Sequence, residues 1–397
     1  MKLLLVTQIY SPEAFSAAIR LRNMADGLRA EGNHVDILTT MPNYPTGRIF
    51  DGYRGKFSMA EEENGDKVYR YWLWADNSYN KAKRMFSILT FAFNLRFFGL
   101  RRKLCRSYDA VLIQTPQLLT AYSAVVLFRK IYKKPIFLNV SDIHPNSIED
   151  GGSFDKNGLM YKWQRSIEKF LYRNTTLLIG QSEEIIKHVN EYRQVDSVLY
   201  RNLESMKGKQ IVPKTKRGNK LVYAGLLSKT QGVLQIIQNV DFASLGLEFH
   251  IYGDGNERKE IEAACDNKSI FYHGTIPNSE MFAELQKYDA SIVPLAKALK
   301  GAVPSKIYNV VAAGMPIFFI GKEGGEAAEL VQKYKVGWVA ALKDFDTLNK
   351  NLALFSKMSD KEYLEVVDNC HNLSENDFNL ETQMKRLSQK IKEVLAK

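Results

Sequence analysis

The stretch KLVYAGLLSKTQG, residues 220–232, leads from an apolar run through a glycine-containing turn into the start of a helix. A short apolar run bounded by turn residues is typical of a strand buried on both faces, as in a parallel sheet. Gly225 permits a tight turn, and Ser228, Lys229 and the N–H groups that open the helix can meet an anion. The stretch predicts an α/β domain with a phosphate-binding turn; an ordinary strand–helix loop is the alternative.

The same alternation of apolar strands and amphipathic helices extends along the chain in both directions. Upstream lie KLLLVT, HVDILTT, DAVLIQT, KPIFLNV and TTLLIGQ, and downstream lie LEFHIYG, IFYHG, ASIVPL and PIFFIG. The pattern predicts two Rossmann-like, doubly wound parallel-sheet domains facing a central cleft, because such sheets bind ligands outside the carboxyl ends of their strands. We expect an N-terminal domain over 1–204, a basic linker over 205–220, a second domain over 221–380 and a helix over 381–397 that packs back on the N-terminal domain.

Composition narrows the class of protein. The chain has 397 residues and a formal net charge of +11, which suits an anionic partner. The basic residues do not form a recognised nucleic-acid-binding motif, so nucleic-acid binding is disfavoured. The three cysteines lie far apart without a Cys/His cluster, which predicts a reducing compartment and no zinc site. The apolar run at residues 3–6 is too short for a signal peptide, so we expect a cytoplasmic protein.

A second candidate anion site lies in GAVPSKIYNVVAAGMP, residues 301–316. Pro304 suits the start of a helix, which puts Ser305 and Lys306 in the first turn. A lysine there opposes the helix dipole unless an anion lies in front of it. Backbone N–H groups, a hydroxyl and an ammonium group together suit a diphosphate, whereas a basic loop neutralised by solvent is the alternative.

The turn YGDGNER, residues 252–258, follows another apolar strand. Gly253 and Gly255 begin a G-x-G-x-x-G spacing, but Arg258 occupies its third glycine position. We therefore expect a tight turn whose backbone faces the cleft rather than a nicotinamide dinucleotide site.

The order YAGLLSKTQG, IYGDGNER, HGTIPNSE, YDASIVPL and VPSKIYNVVAAGMPI resembles the donor domain of glycosyltransferase family 4, which has the GT-B fold. In the other half, TQIYSPEAFSAAIRLRNMADGLRAEGNHVDILTTMPNYPTGRI and FLNVSDIHPNSIEDGG are similar to a bacterial subgroup containing N-acetylfucosamine transferases of capsule and O-antigen synthesis. The resemblance covers nearly the whole chain. It implies a retaining hexosyl or N-acetylhexosaminyl transferase that uses a nucleotide-sugar, commonly UDP-linked, without a metal or other cofactor.

The resemblance also implies which residues bind the donor. The expected set is Gly225, Ser228, Lys229, Gly253, Gly255, Ile276, Pro304, Ser305, Lys306 and Asn309. The chain departs from the family pattern at Leu226 and Gln231, where many members have Arg and Lys, and at Gly301 and Asn309, where members have two glutamates. The second of those glutamates usually holds the ribose hydroxyls, and Asn309 is expected to do so as a neutral group. The two lysines of the set are expected to supply the missing charge.

Candidate catalytic residues lie in the N-terminal half. Asp142 and His144 end a strand, where a histidine can take a proton from an acceptor hydroxyl and the carboxylate can orient it or bind the acceptor. A helix cap and a loop histidine are the alternatives. Glu13, in the loop after the first strand, is expected either to face the acceptor or to cap the next helix.

The segment 83–103, KRMFSILTFAFNLRFFGLRRK, is the most apolar helical stretch and has basic flanks. A basic amphipathic helix with aromatic side chains can lie in a membrane interface, and a core helix is the alternative. We expect Phe93, Phe97 and Phe98 to contact the inner face of the cytoplasmic membrane. A polyprenyl-diphosphate-linked saccharide acceptor fits this placement.

Two other functions remain open. A nucleotide-sugar oxidoreductase is disfavoured because the first strand–helix loop lacks a glycine fingerprint. A non-catalytic GT-B protein that binds a sugar nucleotide or a lipid is favoured by the missing glutamates, and donor hydrolysis or transfer separates it from an enzyme.

Overall fold

The computed structural model describes residues 1–78, 80–143, 158–295, 301 and 303–397. The chain divides into two compact units, Met1–Asn202 with Glu381–Lys397 (unit 1) and Leu203–Leu380 (unit 2). Each unit is built on a largely parallel sheet with helices in the crossover connections, which confirms the predicted α/β class.

Unit 1 contains a sheet in the order β3-β4-β2-β1-β5-β6-β7-β8, in which β3 pairs antiparallel with β4 and the other neighbours are parallel. The strands are β1 Lys2–Val6, β2 His34–Thr40, β3 Ser58–Glu63, β4 Asp66–Tyr71, β5 Ala110–Gln114, β6 Ile136–Val140, β7 Leu177–Gly180 and β8 Asp196–Leu199. The helices are α1 Ser16–Ala30, α2 Lys81–Gly99, α3 Arg102–Ser107, α4 Leu118–Val125 (continued by a π-helical segment, Val126–Ile131), α5 Leu159–Arg173 and α6 Glu183–Asn190.

Unit 2 contains a parallel sheet in the order β11-β10-β9-β12-β13-β14. The strands are β9 Lys220–Ala224, β10 Glu248–Tyr252, β11 Ile270–Tyr272, β12 Ala290–Pro294, β13 Ile317–Gly321 and β14 Gly337–Ala341. The helices are α7 Val233–Asn239, α8 Arg258–Ala264, α9 Asn278–Leu285, α10 Ser305–Ala312, α11 Glu326–Lys333, α12 Phe345–Lys357 and α13 Asp360–Glu375, and α14 Leu380–Leu395 returns to unit 1. The strand order reverses between β9 and β12, where open α/β sheets bind their ligands.

The hairpin β3–β4 is an element that the apolar runs did not predict. Asn64 and Gly65 connect its strands with φ angles of 50° and 84°. Positive φ at both central residues is the geometry of a type I′ turn, for which Asn-Gly is the preferred sequence. The signal was therefore present in the sequence, but the strands carry charged residues and lack an apolar run.

The segment predicted as a linker, 205–220, packs as part of unit 2. The backbone N–H of Val212 donates to Gln286 Oε1 at 2.6 Å. Lys214 Nζ donates to the carbonyl oxygens of Gln286 and Tyr288 at 2.8 and 2.7 Å. Hydrogen bonds rather than apolar periodicity hold the segment, which is why its sequence resembles a linker.

The C-terminal helix α14 completes unit 1. Leu387 and Ile391 on this helix are fully buried. The side-chain amide of Gln383 accepts a hydrogen bond from the Arg201 N–H at 2.6 Å and donates one to the Arg201 carbonyl at 3.0 Å. The end of the chain is therefore part of the unit 1 core.

Replacing Leu387 by Ala should destabilise unit 1 by about 2–5 kcal/mol, the usual cost of a leucine-to-alanine cavity. Urea unfolding followed by far-UV circular dichroism measures this change. Lys392→Ala, an exposed position on the same helix, is the control and should leave the transition unchanged. Equal midpoints for the two variants would mean that α14 contributes no core packing.

Candidate functional site

The loops that follow β9 and β10 lie directly on each other at the carboxyl edge of the unit 2 sheet. The N–H of Gly225 donates to the Tyr252 carbonyl at 3.0 Å, and the N–H of Leu227 donates to the Asp254 carbonyl at 2.9 Å. The N–H of Gly253 in turn donates to the Gly274 carbonyl, in the loop after β11, at 2.8 Å. Backbone hydrogen bonding thus extends beyond the strands and fixes the three loops.

Glycine is required for this contact. A Cβ at Gly253 would lie 1.8 Å from the Gly225 carbonyl oxygen, and a Cβ at Gly255 would lie 2.0 Å from that of Leu227. The φ angles of Gly253 and Gly255 are 144° and 159°, which side chains disfavour. The incomplete glycine fingerprint therefore provides close packing between two loops.

Lys306, in the first turn of α10, reaches back over the Gly225 turn. Its Nζ donates to Tyr223 Oη and to Gln231 Oε1, both at 2.8 Å, and lies 4.2 Å from the centroid of the Tyr223 ring. A Cβ at Gly225 would lie 2.4 Å from this nitrogen. The turn after β9 and the helix after β12 therefore converge on one ammonium group.

The ammonium group of Lys306 has neutral hydrogen-bond partners. Burial lowers the pKa of Lys306 to about 7. Within the described ranges, no carboxylate forms an ion pair with it. A partly buried cation without a counter-ion favours an anionic ligand, because the ligand supplies the negative charge that would otherwise come from a carboxylate side chain.

Other predicted donor residues lie in the loop after β9, in the loop after β11 and on α10. Ser228 is buried, and its hydroxyl shares a 2.9 Å hydrogen bond with that of Thr230, whereas Lys229 is exposed. Pro304 is the N-cap of α10 without a side-chain capping bond, and Ser305 opens the helix. Ile276 lies in the loop after β11, and Asn309 lies about one turn after Lys306 on α10.

In unit 1, Asp142 follows β6 beside a buried arginine. Arg20 Nη2 donates to Ser141 Oγ at 2.7 Å. Burial raises the pKa of Asp142, and the positive charge of Arg20 opposes this rise. His144, predicted as its partner, lies outside the described residues.

Two polar side chains on strands β5 and β6 are linked to Ser141 by hydrogen bonds. Gln114 Nε2 donates to Ser141 Oγ at 2.6 Å, and Asn139 Nδ2 donates to Gln114 Oε1 at 2.6 Å. Gln114 and Asn139 were not predicted as site residues, although a polar residue that ends or interrupts an apolar strand was the available signal.

Glu13 holds a loop in place. One of its carboxylate oxygens accepts the N–H groups of Asn43 and Tyr44, each at 2.9 Å, and the other accepts the N–H of Tyr10 at 3.3 Å. Burial raises its pKa, and these hydrogen bonds oppose that rise. The expectation that Glu13 caps α1 is wrong, since Phe15 is the N-cap and no side chain caps the helix.

The predicted membrane segment forms two helices, α2 and α3, with a break at Leu100 and Arg101. Large apolar side chains are exposed along one face of α2 and at the residue that follows it: Phe86, Leu89, Phe93, Phe97 and Leu100. We call these five residues the apolar stripe. The opposite face of α2 is buried, with Phe91 and Leu95 in the hydrophobic core. On that face, Asn94 Nδ2 donates to the Trp72 carbonyl at 2.7 Å. Phe98 is fully buried, so the expectation that it contacts a membrane is wrong.

In the described part of the chain, no helix combines the length and hydrophobicity needed to cross a bilayer. Among those residues, no group of three or more His, Cys, Asp or Glu side chains is arranged to hold a metal ion. The expectation of a reaction without a metal stays a prediction.

Two family models match the chain, one in each half. The model described as "Glycosyl transferase 4-like domain" matches residues 17–201, and that described as "Glycosyl transferases group 1" matches residues 206–377. The chain belongs to the GT-B glycosyltransferases. The loops of Gly225 and Gly253, together with Lys306, all lie in the second match.

Two curated relatives of this glycosyltransferase are bacterial. It is 23% identical over 344 residues to a putative colanic acid biosynthesis glycosyl transferase, WcaI, of Escherichia coli, a match that covers 79% of this chain and 82% of WcaI. It is also 23% identical over 229 residues to a probable glycosyltransferase, WbjE, of Pseudomonas aeruginosa, which covers 51% of this chain and 54% of WbjE. The chain thus matches about half the length of WbjE.

A solved structure shares the fold of this glycosyltransferase. Anabaena HepE, determined in complex with UDP, superposes with a TM-score of 0.69 at 12% identity, covering 99% of this chain and all of HepE.

The affinity of this glycosyltransferase for a nucleoside diphosphate should fall as the pH rises from about 7 to about 9. Free Lys306, with a pKa of about 7, loses its proton in that range, whereas a bound diphosphate stabilises the ammonium form, so binding takes up a proton. Calorimetric titration with UDP, in buffers of different ionisation enthalpy, measures both the affinity and the proton uptake.

Lys306→Arg is the control for this pH dependence, because a guanidinium stays protonated over the whole range. Its UDP affinity should be nearly constant between the two pH limits. A wild-type affinity that is equally constant would show that the bound phosphates do not contact the Lys306 ammonium.

Proposed function

We propose that this glycosyltransferase transfers a sugar, with retention of anomeric configuration, from a UDP-linked donor to a lipid-linked saccharide. The acceptor is a polyprenyl-diphosphate saccharide of bacterial surface polysaccharide synthesis. The enzyme acts from the inner face of the cytoplasmic membrane.

The observation that carries the donor assignment is the Lys306 ammonium at the strand-order reversal of unit 2. It projects over a glycine turn, where a ligand can approach the backbone, and it lacks an ion pair within the described ranges. The N-terminal N–H groups of α10 add partial positive charge beside it. Such a set of donors stabilises a diphosphate, both when it binds and when it leaves.

Comparisons support the finer parts of the proposal. HepE was determined with UDP, and WcaI is named for the biosynthesis of colanic acid. The exposed apolar stripe of α2 fits an acceptor whose lipid tail remains in a membrane.

The proposed chemical step exchanges one bond for another at the anomeric carbon. The bond between this carbon and the β-phosphate oxygen breaks, and the electron pair leaves with the diphosphate. The acceptor hydroxyl oxygen bonds to the same face of the carbon, and its proton passes to the leaving diphosphate. Lys306 stabilises the charge that develops on that diphosphate, and the protein orients the reactants.

On the acceptor side we propose roles for three residues. Asp142, with its raised pKa, accepts or donates a hydrogen bond to the acceptor. His144 takes part in proton transfer. Glu13 acts through the loop at Asn43 and Tyr44, whose N–H groups it holds.

Lys306→Met should weaken UDP binding by about 10- to 150-fold, because it removes a charged hydrogen bond worth about 1.5–3 kcal/mol. Thermal shifts with UDP, GDP and ADP measure the loss, since a ligand stabilises the fold according to its concentration and affinity. Lys268→Met, an exposed lysine of unit 2, is the matched control. Equal UDP shifts in both variants, or no wild-type response to UDP, would contradict the donor assignment.

Replacing Phe86 and Phe93 by Ser should reduce binding to vesicles of phosphatidylcholine and phosphatidylglycerol about tenfold or more. Both side chains are about half exposed, at 51% and 53%, so the thermal midpoint should hardly change. Burying a phenylalanine in a bilayer contributes about 1.5–3 kcal/mol, which the variant loses. Vesicle sedimentation measures the difference.

The matched control for this variant carries Val212→Ser and Leu354→Ser in unit 2, which are also exposed apolar positions, at 56% and 62%. Its vesicle binding should equal that of the wild type. A loss of the same size in both double variants would mean that the apolar stripe is no specific membrane contact.

A further inference from the structure

Glu204, at the start of unit 2, lies beside helix α10. Its Oε1 accepts a hydrogen bond from Asn309 Nδ2 at 3.3 Å. Its Oε2 pairs with Lys209 Nζ at 3.0 Å, and that nitrogen lies 4.8 Å from the centroid of the Phe282 ring. The carboxylate is therefore held from two sides by elements of its own unit.

Within the part of the chain that the structure describes, the carboxylate of Glu204 has unused hydrogen-bonding capacity. Its side chain is 54% exposed. An ionised carboxylate offers about four lone-pair sites, and Asn309 and Lys209 occupy two of them. About two acceptor sites on this half-exposed side chain therefore remain for the hydroxyl groups of a ligand.

The position of this carboxylate relative to Lys306 decides which ligand groups it can reach. Asn309 lies three residues after Lys306 on α10, so both side chains are on the same face, about one turn or 5 Å apart along the axis. In a nucleoside diphosphate, the ribose is attached directly to the phosphate chain. A ligand whose phosphates contact Lys306 thus has its ribose within reach of Asn309 and Glu204.

The hydrogen-bonding chemistry of a ribose matches that of the Glu204 carboxylate. A ribose presents two neighbouring O–H donors, and a carboxylate only accepts. Carboxylates accept hydrogen bonds from ribose hydroxyls in other nucleotide-binding folds. Asn309, with its amide N–H directed at Glu204, cannot provide a negative charge by itself.

We propose that Glu204, oriented by Asn309 and Lys209, binds the ribose hydroxyls of the nucleotide donor. The inference depends on the proposed function, because it assumes that the phosphates bind at Lys306. It assigns a specificity-determining role to a residue that the sequence predicts as the end of the N-terminal domain and that the structure places in unit 2. A surface ion pair with Lys209 and no ligand contact is the competing account.

Three probes separate the ribose contact from the phosphate contact: UDP, 2′,3′-dideoxy-UDP and inorganic pyrophosphate. Glu204→Gln should weaken UDP binding about tenfold and leave pyrophosphate binding unchanged. Lys306→Met should weaken both. Wild type should prefer UDP to the dideoxy analogue by about tenfold, and Glu204→Gln should bind the two nearly equally.

Glu280→Gln, an exposed carboxylate on α9, is the matched control and should keep the wild-type preference for the ribose hydroxyls. Thermal midpoints verify that each variant folds. A Glu204→Gln variant that still prefers UDP to the dideoxy analogue overturns the Glu204 assignment while the donor site stands. A wild type that binds neither UDP nor pyrophosphate overturns the proposed function as well.

Discussion

The proposed donor site depends on the contact between two backbone segments, the turn after β9 and the turn after β10. Hydrogen bonds from Gly225 and Leu227 join them, and the missing Cβ atoms of Gly253 and Gly255 allow the approach. This contact fixes the position of the Gly225 turn at the strand-order reversal. Because the turn is fixed and lacks a side chain at Gly225, the Lys306 ammonium can lie above it.

The second constraint is electrostatic. Lys306 is held by the neutral groups of Tyr223 and Gln231, and burial makes its charged form costly. In the proposed donor site, a bound diphosphate would offset that cost. The chain lacks the Arg and Lys that many family members have at the positions of Leu226 and Gln231, so we expect the protonation of Lys306 to be linked to binding of the proposed ligand. Gln231 contributes by orienting the ammonium instead of supplying a second charge.

Much of the fold could be predicted from the sequence because its strands are buried on both faces and read as apolar runs. Apolar runs could not reveal β3 and β4, because these strands carry charged residues. They also could not show which face of helix α2 is buried. Helix α2 carries large apolar side chains on two faces, so periodicity could not separate the buried Phe91 and Phe98 from the exposed Phe93. For the site, Pro304 and the neighbouring turn residues predicted the position of Lys306. The pairing of Glu204 with Asn309 joins positions 105 residues apart and has no local signal.

The most direct test of the donor assignment is a crystal structure of the wild-type enzyme with UDP. The account predicts a β-phosphate oxygen within hydrogen-bonding distance of Lys306 Nζ, roughly 2.7–2.9 Å, above the Gly225 turn. A nucleotide whose phosphates lie away from that turn, with Lys306 still bonded only to Tyr223 and Gln231, would contradict it.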